Sequence, residues 1–238
     1  MKESADAVDQ DPADALPTRR RALGVTTRDK LLDATADVLA REGLTGVSAR
    51  AIATRAGVNQ ALVFYHFGSV SGLLEATVRR SVDLAVASYR DRFIDVQSVA
   101  EMLVLGRELS RTERSRGNVA QMAQVMAGAQ SDETLARAGR YAMEQWAAQI
   151  EAVLARLLPG SPLEGMIPAA GLARAVAAGS IGLQLYAGVD GAGADSALGA
   201  LDALASLVET VEALGPLATR AAGGRVRKTQ ARGEGALR

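Results

Sequence analysis

Twenty residues, Ser48 to Phe67 (SARAIATRAGVNQALVFYHF), leave this chain little freedom in what it can fold into. Ser48 is suited to cap a helix, because its hydroxyl can accept from the first free amides. Ile52, Ala53 and Ala56 follow at helical spacing on one face. Gly57 stands where that helix must stop, since glycine enters the left-handed region without a Cβ clash. Val58 packs into the turn, and Asn59 is placed to cap a second helix that carries Leu62, Val63 and Phe67 inward. Ala53 and Gly57, four residues apart, predict a close crossing and a short link. An angled pair of this kind is a helix-turn-helix, whose second helix enters the major groove of DNA. A plain helical hairpin with an Ala-Gly junction shares the spacing. It has no need of Asn59, Gln60, Tyr65 and His66, the one histidine of the chain, gathered on so short a helix.

A formal net charge of zero argues against a nucleic-acid partner until the charge is divided along the chain. Residues 18–70 carry eight basic and four acidic side chains, and residues 71–218 carry 12 basic and 17 acidic. The first 17 residues carry one basic and five acidic groups, and residues 219–238 carry six basic and one acidic. The positive stretch coincides with the helix-turn-helix and the body behind it is negative. That polarity orients a protein head-first on a polyanion.

Residues 1–25 contain Pro12 and Pro17 and show no sustained periodicity, so a disordered N-terminal arm is expected there. From Thr27 the pattern turns helical, with Leu31, Leu32, Thr35, Ala36, Val38 and Leu39 on a stripe that Gly43 stops. A long helix is predicted from Val70 through Leu73, Leu74, Thr77, Val78, Val82, Leu84 and Ala85 toward Tyr89 or Phe93. Further helical segments are expected at 98–111, 117–129, 132–158, 166–188 and 194–218. No stretch alternates as a strand does. The expected fold class is therefore all-α, with an N-terminal three-helix domain over 26–86 (helix-turn-helix motif 48–67), a larger helical domain over 87–218, and a disordered basic tail over 219–238.

The last two helices stand out. Segment 169–180 is almost wholly Ala and Gly, which lets another helix approach closely. Segment 198–214 carries Leu198, Leu201, Leu204, Ala205, Leu207, Val208, Val211 and Leu214, wide enough to bury more than one face. The pair reads as one half of a symmetric four-helix bundle, and a reader of palindromic DNA needs such a dimer.

Thr27 through Leu74 (TTRDKLLDATADVLAREGLTGVSARAIATRAGVNQALVFYHFGSVSGLL) resembles the N-terminal domain of the TetR family of bacterial transcriptional regulators. The resemblance rests on the first-helix stripe ending in Gly43, on Ser48 and Arg50, Ile52-Ala53 and Ala56-Gly57-Val58, and on Tyr65-His66-Phe67 followed by a polar turn and Leu73-Leu74. It implies a cytoplasmic homodimeric repressor on double-stranded operator DNA, released by a small-molecule effector in the helical domain. Carried over position by position, it implies DNA contacts from Ser48, Arg50, Asn59, Gln60, Ala61, Tyr65 and His66. Gln can read adenine and Arg guanine with two hydrogen bonds each, while hydroxyl and imidazole groups suit phosphate. Many members carry a lysine where this chain has Val70, so one phosphate contact is missing or comes from elsewhere, with Arg19, Arg20 and Arg21 as candidates.

For the effector, Met102, Met122, Met126, Trp146 and Tyr186 are the adaptable or aromatic candidates, with Met143 and Tyr141 beside them. Arg107, Gln121, Gln124 or Gln184 could orient a polar group on a mostly apolar ligand. No cysteine and a single histidine leave no thiol nucleophile, His-based triad or multi-His metal site, so neither catalysis nor a cofactor nor a metal is expected. The start MKESADAVDQD lacks an apolar signal core and no run of about 18 apolar residues occurs, so a cytoplasmic protein without a membrane partner is expected. The competing expectation is an architectural DNA-binding protein with no effector.

Overall fold

The computed structural model describes residues 26–161, 164–165 and 167–214. The expected N-terminal arm with Arg19, Arg20 and Arg21, the basic tail, and the side chains of Ala205, Val208 and Val211 lie outside the described residues. The described elements are all helices: α1 (Thr27–Gly46), α2 (Ala49–Ala56), α3 (Ala61–Phe67), α4 (Val70–Asp95), α5 (Val99–Ser115), α6 (Asn118–Gly128), α7 (Glu133–Leu157), α8 (Ala169–Ala187) and α9 (Gly191–Ala213). The fold is all-α, as the absence of strand alternation implies. No single described helix is long and apolar enough to cross a membrane.

Local chemistry sets the boundaries. A short oxygen-bearing side chain in extended conformation takes the orphan amides at five helix starts. Thr26 accepts from the amide of Asp29 at 3.1 Å, Ser48 from Ala51 at 3.2 Å and Ser69 from Gly72 at 2.9 Å. Ser98 accepts from Glu101 at 3.1 Å, and Asp132 from Thr134 at 2.7 Å and Leu135 at 3.0 Å. At the far end of α4, Arg156 of α7 reaches the carbonyls of Phe93 at 2.9 Å, Ile94 at 3.2 Å and Val96 at 3.3 Å. One guanidinium thus supplies donors that the last helical turn lacks.

The sequence-based boundaries need four corrections. Gly43 interrupts α1 with φ +71°, but one further turn follows it to Gly46. Helix α5 continues past residue 111 to Ser115. Helix α9 starts at Gly191, because Asp190 accepts from the amide of Gly193 at 2.9 Å and so caps a glycine-rich turn. Leu84 does not belong to the apolar stripe of α4; it is exposed, two residues from Val82 and from Val86 and therefore on the opposite side of the helix.

Three apolar clusters hold the helices. The first joins Leu31, Leu32, Ala34, Ala49, Ile52, Val63 and Leu73 from α1 to α4. The second joins Leu39 of α1 to Leu74, Val78, Val82 and Val86 of α4, Val125 of α6, and Leu135, Ala138 and Ala142 of α7. The third surrounds Tyr89 and Phe93 at the end of α4 with Leu105, Ile150, Val153, Leu154, Ala173 and Ala177. Helix α4 contributes to all three. It lies along α7, α7 lies along α8, and α9 packs on α5 and α8.

At Gly57, φ is +64° and a Cβ built there meets no atom within 4 Å. The glycine is required by its backbone conformation, not by a close helix crossing as the spacing suggests. Gly57→Ala should therefore cost about 1 kcal/mol through left-handed strain alone. Gly57→Asn, which tolerates that region better, should cost less; denaturant unfolding of the two variants checks the order.

Candidate nucleic-acid interface and ligand cavity

Ile52, Ala53 and Val63, none more than 3% exposed, lock α2 and α3 onto α1 and α4. The opposite surface is left to Ser48, Arg50, Thr54, Asn59, Gln60, Ala61, Phe64, Tyr65 and His66, all exposed. Gln60 and Phe64 stand one helical turn apart, as do Ala61 and Tyr65, so these side chains share one outward face. Phe64 is 48% and Tyr65 81% exposed, far more than aromatic rings held for packing alone.

Each polar group on this surface has a different amount of freedom. Asn59 accepts from the amide of Ala61 at 2.8 Å, so its carbonyl is committed to capping α3 and only its NH2 group faces outward free. Gln60 makes no capping bond and keeps its whole carboxamide available. Ser48 uses a lone pair on the amide of Ala51 and keeps its O–H as a donor. Arg55 and Arg41 are both drawn to Asp37, whereas Arg50 has no ion-pair partner among the described residues. Tyr65 and His66 meet edge-to-face with ring centres 5.0 Å apart. Val70, where the family pattern has lysine, is half-buried against the headpiece cluster and offers no charge.

Behind the headpiece, α4, α5, α6, α7 and α8 enclose a cavity of about 170 Å³. Its wall includes Met102, Met122, Trp146, Met143, Gln121 and Gln184. Met126 and Tyr186 lie elsewhere. Met126 sits against Gly139 of α7, and the Tyr186 hydroxyl donates to Asp190 at 3.0 Å beside the start of α9. Tyr141 donates to Asp83 at 2.5 Å, Arg107 pairs with Asp202 of α9, and Gln124 faces α1; none of the three reaches the cavity.

Glu113, which sequence reasoning missed, is the one ionisable side chain on the cavity wall among the described residues. It is only 6% exposed. Its carboxylate accepts from the Tyr89 hydroxyl at 2.9 Å, from Asn118 Nδ2 at 2.5 Å and from Arg116 Nη1 at 3.1 Å. Burial, and then donation to Glu113, hold the Tyr89 phenol above its usual range, so Tyr89 remains a neutral donor. Among the described residues no group of three or more His, Cys, Asp and Glu side chains is placed to hold a metal ion.

The junction between interface and cavity has its own polar contact. The carbonyl of Gln124 on α6 accepts from the Leu44 amide at 2.7 Å, next to the left-handed Gly43. Neighbouring Met122 and Val125 on the same helix line the cavity. One helix thus touches both regions.

Comparison with known proteins gives the same picture. The sequence profile described as bacterial regulatory proteins, tetR family, matches residues 31–77. The HTH-type transcriptional regulator BetI of Paraburkholderia phymatum is 39% identical over 66 residues, which are 27% of this chain and 34% of that protein. The matched region thus spans about a third of the curated relatives' length. A TetR-family transcriptional regulator from Rhodococcus sp. superposes with a TM-score of 0.63 at 23% identity, covering 76% of this chain and 97% of the other. A transcriptional regulator from Rhodococcus sp. Rha1 superposes at 0.58 with 27% identity, covering 77% and 96%.

Gln124→Ala removes the acceptor of a half-buried amide and should cost about 1–3 kcal/mol. Amide exchange checks this: the Leu44 N–H should lose protection while Val63 in the headpiece core keeps its own.

Proposed function

We infer that this chain, whose residues 31–77 match the tetR-family profile, is a helix-turn-helix transcriptional regulator of the TetR family, a repressor that binds a palindromic operator as a homodimer and is released by a small, mostly apolar ligand. The observation that carries the reading is the outward face of α2 and α3, where a carboxamide at Gln60 and a guanidinium at Arg50, both without a side-chain partner among the described residues, and an exposed aromatic pair at Phe64 and Tyr65 stand together on a rigid base. In this reading Gln60 and Arg50 read base edges, and Ser48, Tyr65 and His66 hold phosphate. Ala61, short and exposed, lets α3 approach the groove, and Asn59 sets its start while its NH2 group reaches outward. With Val70 packed inward, the backbone contacts from the described headpiece come from Ser48, Tyr65 and His66 in this reading.

The dimer is supported by the outer surface of α8 and α9. On α8, Gly171, Ala175, Ala178, Gly179 and Gly182 are exposed at helical spacing, with Leu185 and Tyr186 at the end. On α9, Leu201, Leu204 and Leu207 are 41%, 59% and 60% exposed. A small-residue strip beside an uncovered leucine ridge fits a second copy of the same helix pair, and a two-fold arrangement presents two headpieces to two half-sites.

Release follows if the ligand occupies the cavity walled by Met102, Met122 and Trp146 and favours an arrangement with the headpieces out of register. Helix α4 carries both cavity residues and the base of the headpiece, so a tilt there changes the spacing of the recognition helices. That spacing must match one turn of DNA, about 34–36 Å.

Selection of the full chain against random duplexes should enrich a two-fold symmetric motif, and the absence of any enriched motif overturns the operator reading. On the selected site, Gln60→Ala should relax one position in each half-site at a cost of about 1–3 kcal/mol, while His66→Ala weakens all sequences alike. Leu204→Arg, at a position exposed in the single chain, should leave helix content unchanged. It should nevertheless yield monomers in sedimentation, and a parent chain that is itself monomeric at micromolar concentration contradicts the dimer.

A further inference from the structure

Resting on the reading that the cavity receives the regulatory ligand, we propose that this ligand is a compact organic monocation, a protonated amine or quaternary ammonium on an apolar body, held by Glu113 and the adjoining aromatic rings.

The sign of the charge follows from the wall. Among the described residues Glu113 is its one ionisable group, and the other polar groups there are neutral amides and hydroxyls. An anion entering the cavity meets a carboxylate and, among the described residues, no cation on the wall. A cation meets that carboxylate in surroundings where water screens poorly, and is favoured for the same reason.

The carboxylate is arranged to take one more donor. Oε1 accepts from both Tyr89 and Arg116, whereas Oε2 accepts from Asn118 alone. A carboxylate offers about four acceptor positions, so a lone pair on Oε2 is open. Arg116 balances the charge from outside: its side chain is 55% exposed, and its field is shared with solvent. Arg116 thus meets the carboxylate from the solvent side and leaves room for a second positive group on the cavity side.

The rings supply the rest. Trp146 lies with its ring centre 6.2 Å from that of Tyr89 and 6.5 Å from that of Phe93, and Trp146 and Phe93 both line the wall. Tyr89 in turn donates to Glu113, so carboxylate and ring faces are contiguous. Aromatic faces attract a cation, most strongly where water is excluded. Size sets the last limit. An apolar cavity of about 150 Å³ holds benzene, so the 170 Å³ here admits a body of about that size plus one or two atoms of headgroup.

A purely structural Glu113, tying α4, α5 and α6 together, predicts no preference among ligand charges. Calorimetric titration of the full-length protein with three probes of one shape, benzylammonium, benzyl alcohol and benzoate, separates the two roles. Benzylammonium should bind about tenfold or more tighter than benzyl alcohol, with benzoate weakest. Glu113→Gln should abolish that preference and keep benzyl alcohol binding. Arg116→Gln, at an exposed position whose change does not endanger the fold, should widen the preference, so the test holds even if the Glu113 variant fails to fold. Binding of the alcohol without charge preference, tightest binding of benzoate, or a preference that survives Glu113→Gln overturns the cationic ligand and leaves the cavity reading intact. Binding of none of the three overturns both.

Discussion

The burial of one continuous stripe of α4, from Leu73 to Phe93, is the constraint on which the rest depends. Leu73 closes the headpiece cluster; Leu74, Val78, Val82 and Val86 form the middle one with α1, α6 and α7; Tyr89 and Phe93 enter the third. Each of these side chains contributes about 1.5–3 kcal/mol when withdrawn from water. No cluster can loosen without exposing part of a helix that the next cluster also uses. The headpiece is thereby docked as part of the body, and Leu39 of α1, buried among body residues, shows the same from the other side.

Polar contacts then fix what apolar burial leaves free. Apolar clusters resist separation but permit sliding, whereas hydrogen bonds choose a register. Arg80 of α4 pairs with Asp33 of α1 at 2.7 Å, and Arg137 of α7 with Glu75 of α4 at 3.2 Å. These exposed pairs add little energy. The Gln124–Leu44 bond is half-buried and ties α1 to a helix that lines the cavity. A shift of α6 or α4 is thus physically connected to α1 and, through the headpiece cluster, to α2 and α3.

The headpiece was legible in the sequence because its determinants are local. Ser48, Gly57 and Asn59 act within three residues of themselves, and periodicity names Ile52, Ala53 and Val63 as inward. Gln60 and His66 could be singled out because polar groups without a capping duty are unusual on so short a helix. The cavity was legible only in part. Met122 and Met126, one turn apart, look equivalent in sequence, but α7 crosses at Met126 and covers it, leaving Met122 on the wall. Tyr186 looks like a cavity aromatic until Asp190 is seen holding its hydroxyl. Glu113 was hidden by its neighbours: the run Arg111 to Asn118 reads as a solvated helix end, and its partners Tyr89 and Asn118 come from other helices. Gly57 was legible as a stop, though for its backbone conformation rather than for close packing. Residues that act through non-local partners are the ones local pattern misses.

The central claim, that α4 binds headpiece and body into one cooperative unit, is tested most directly by native-state amide exchange along that helix in graded denaturant. The account predicts that the amides of Leu74, Val82 and Tyr89 open with a common free energy and a common denaturant dependence, joined by Ile52 and Val63 in the headpiece. If Leu74, Ile52 and Val63 instead open together at much lower free energy while Tyr89 stays protected to the global limit, the headpiece is a separate unit and the account is contradicted.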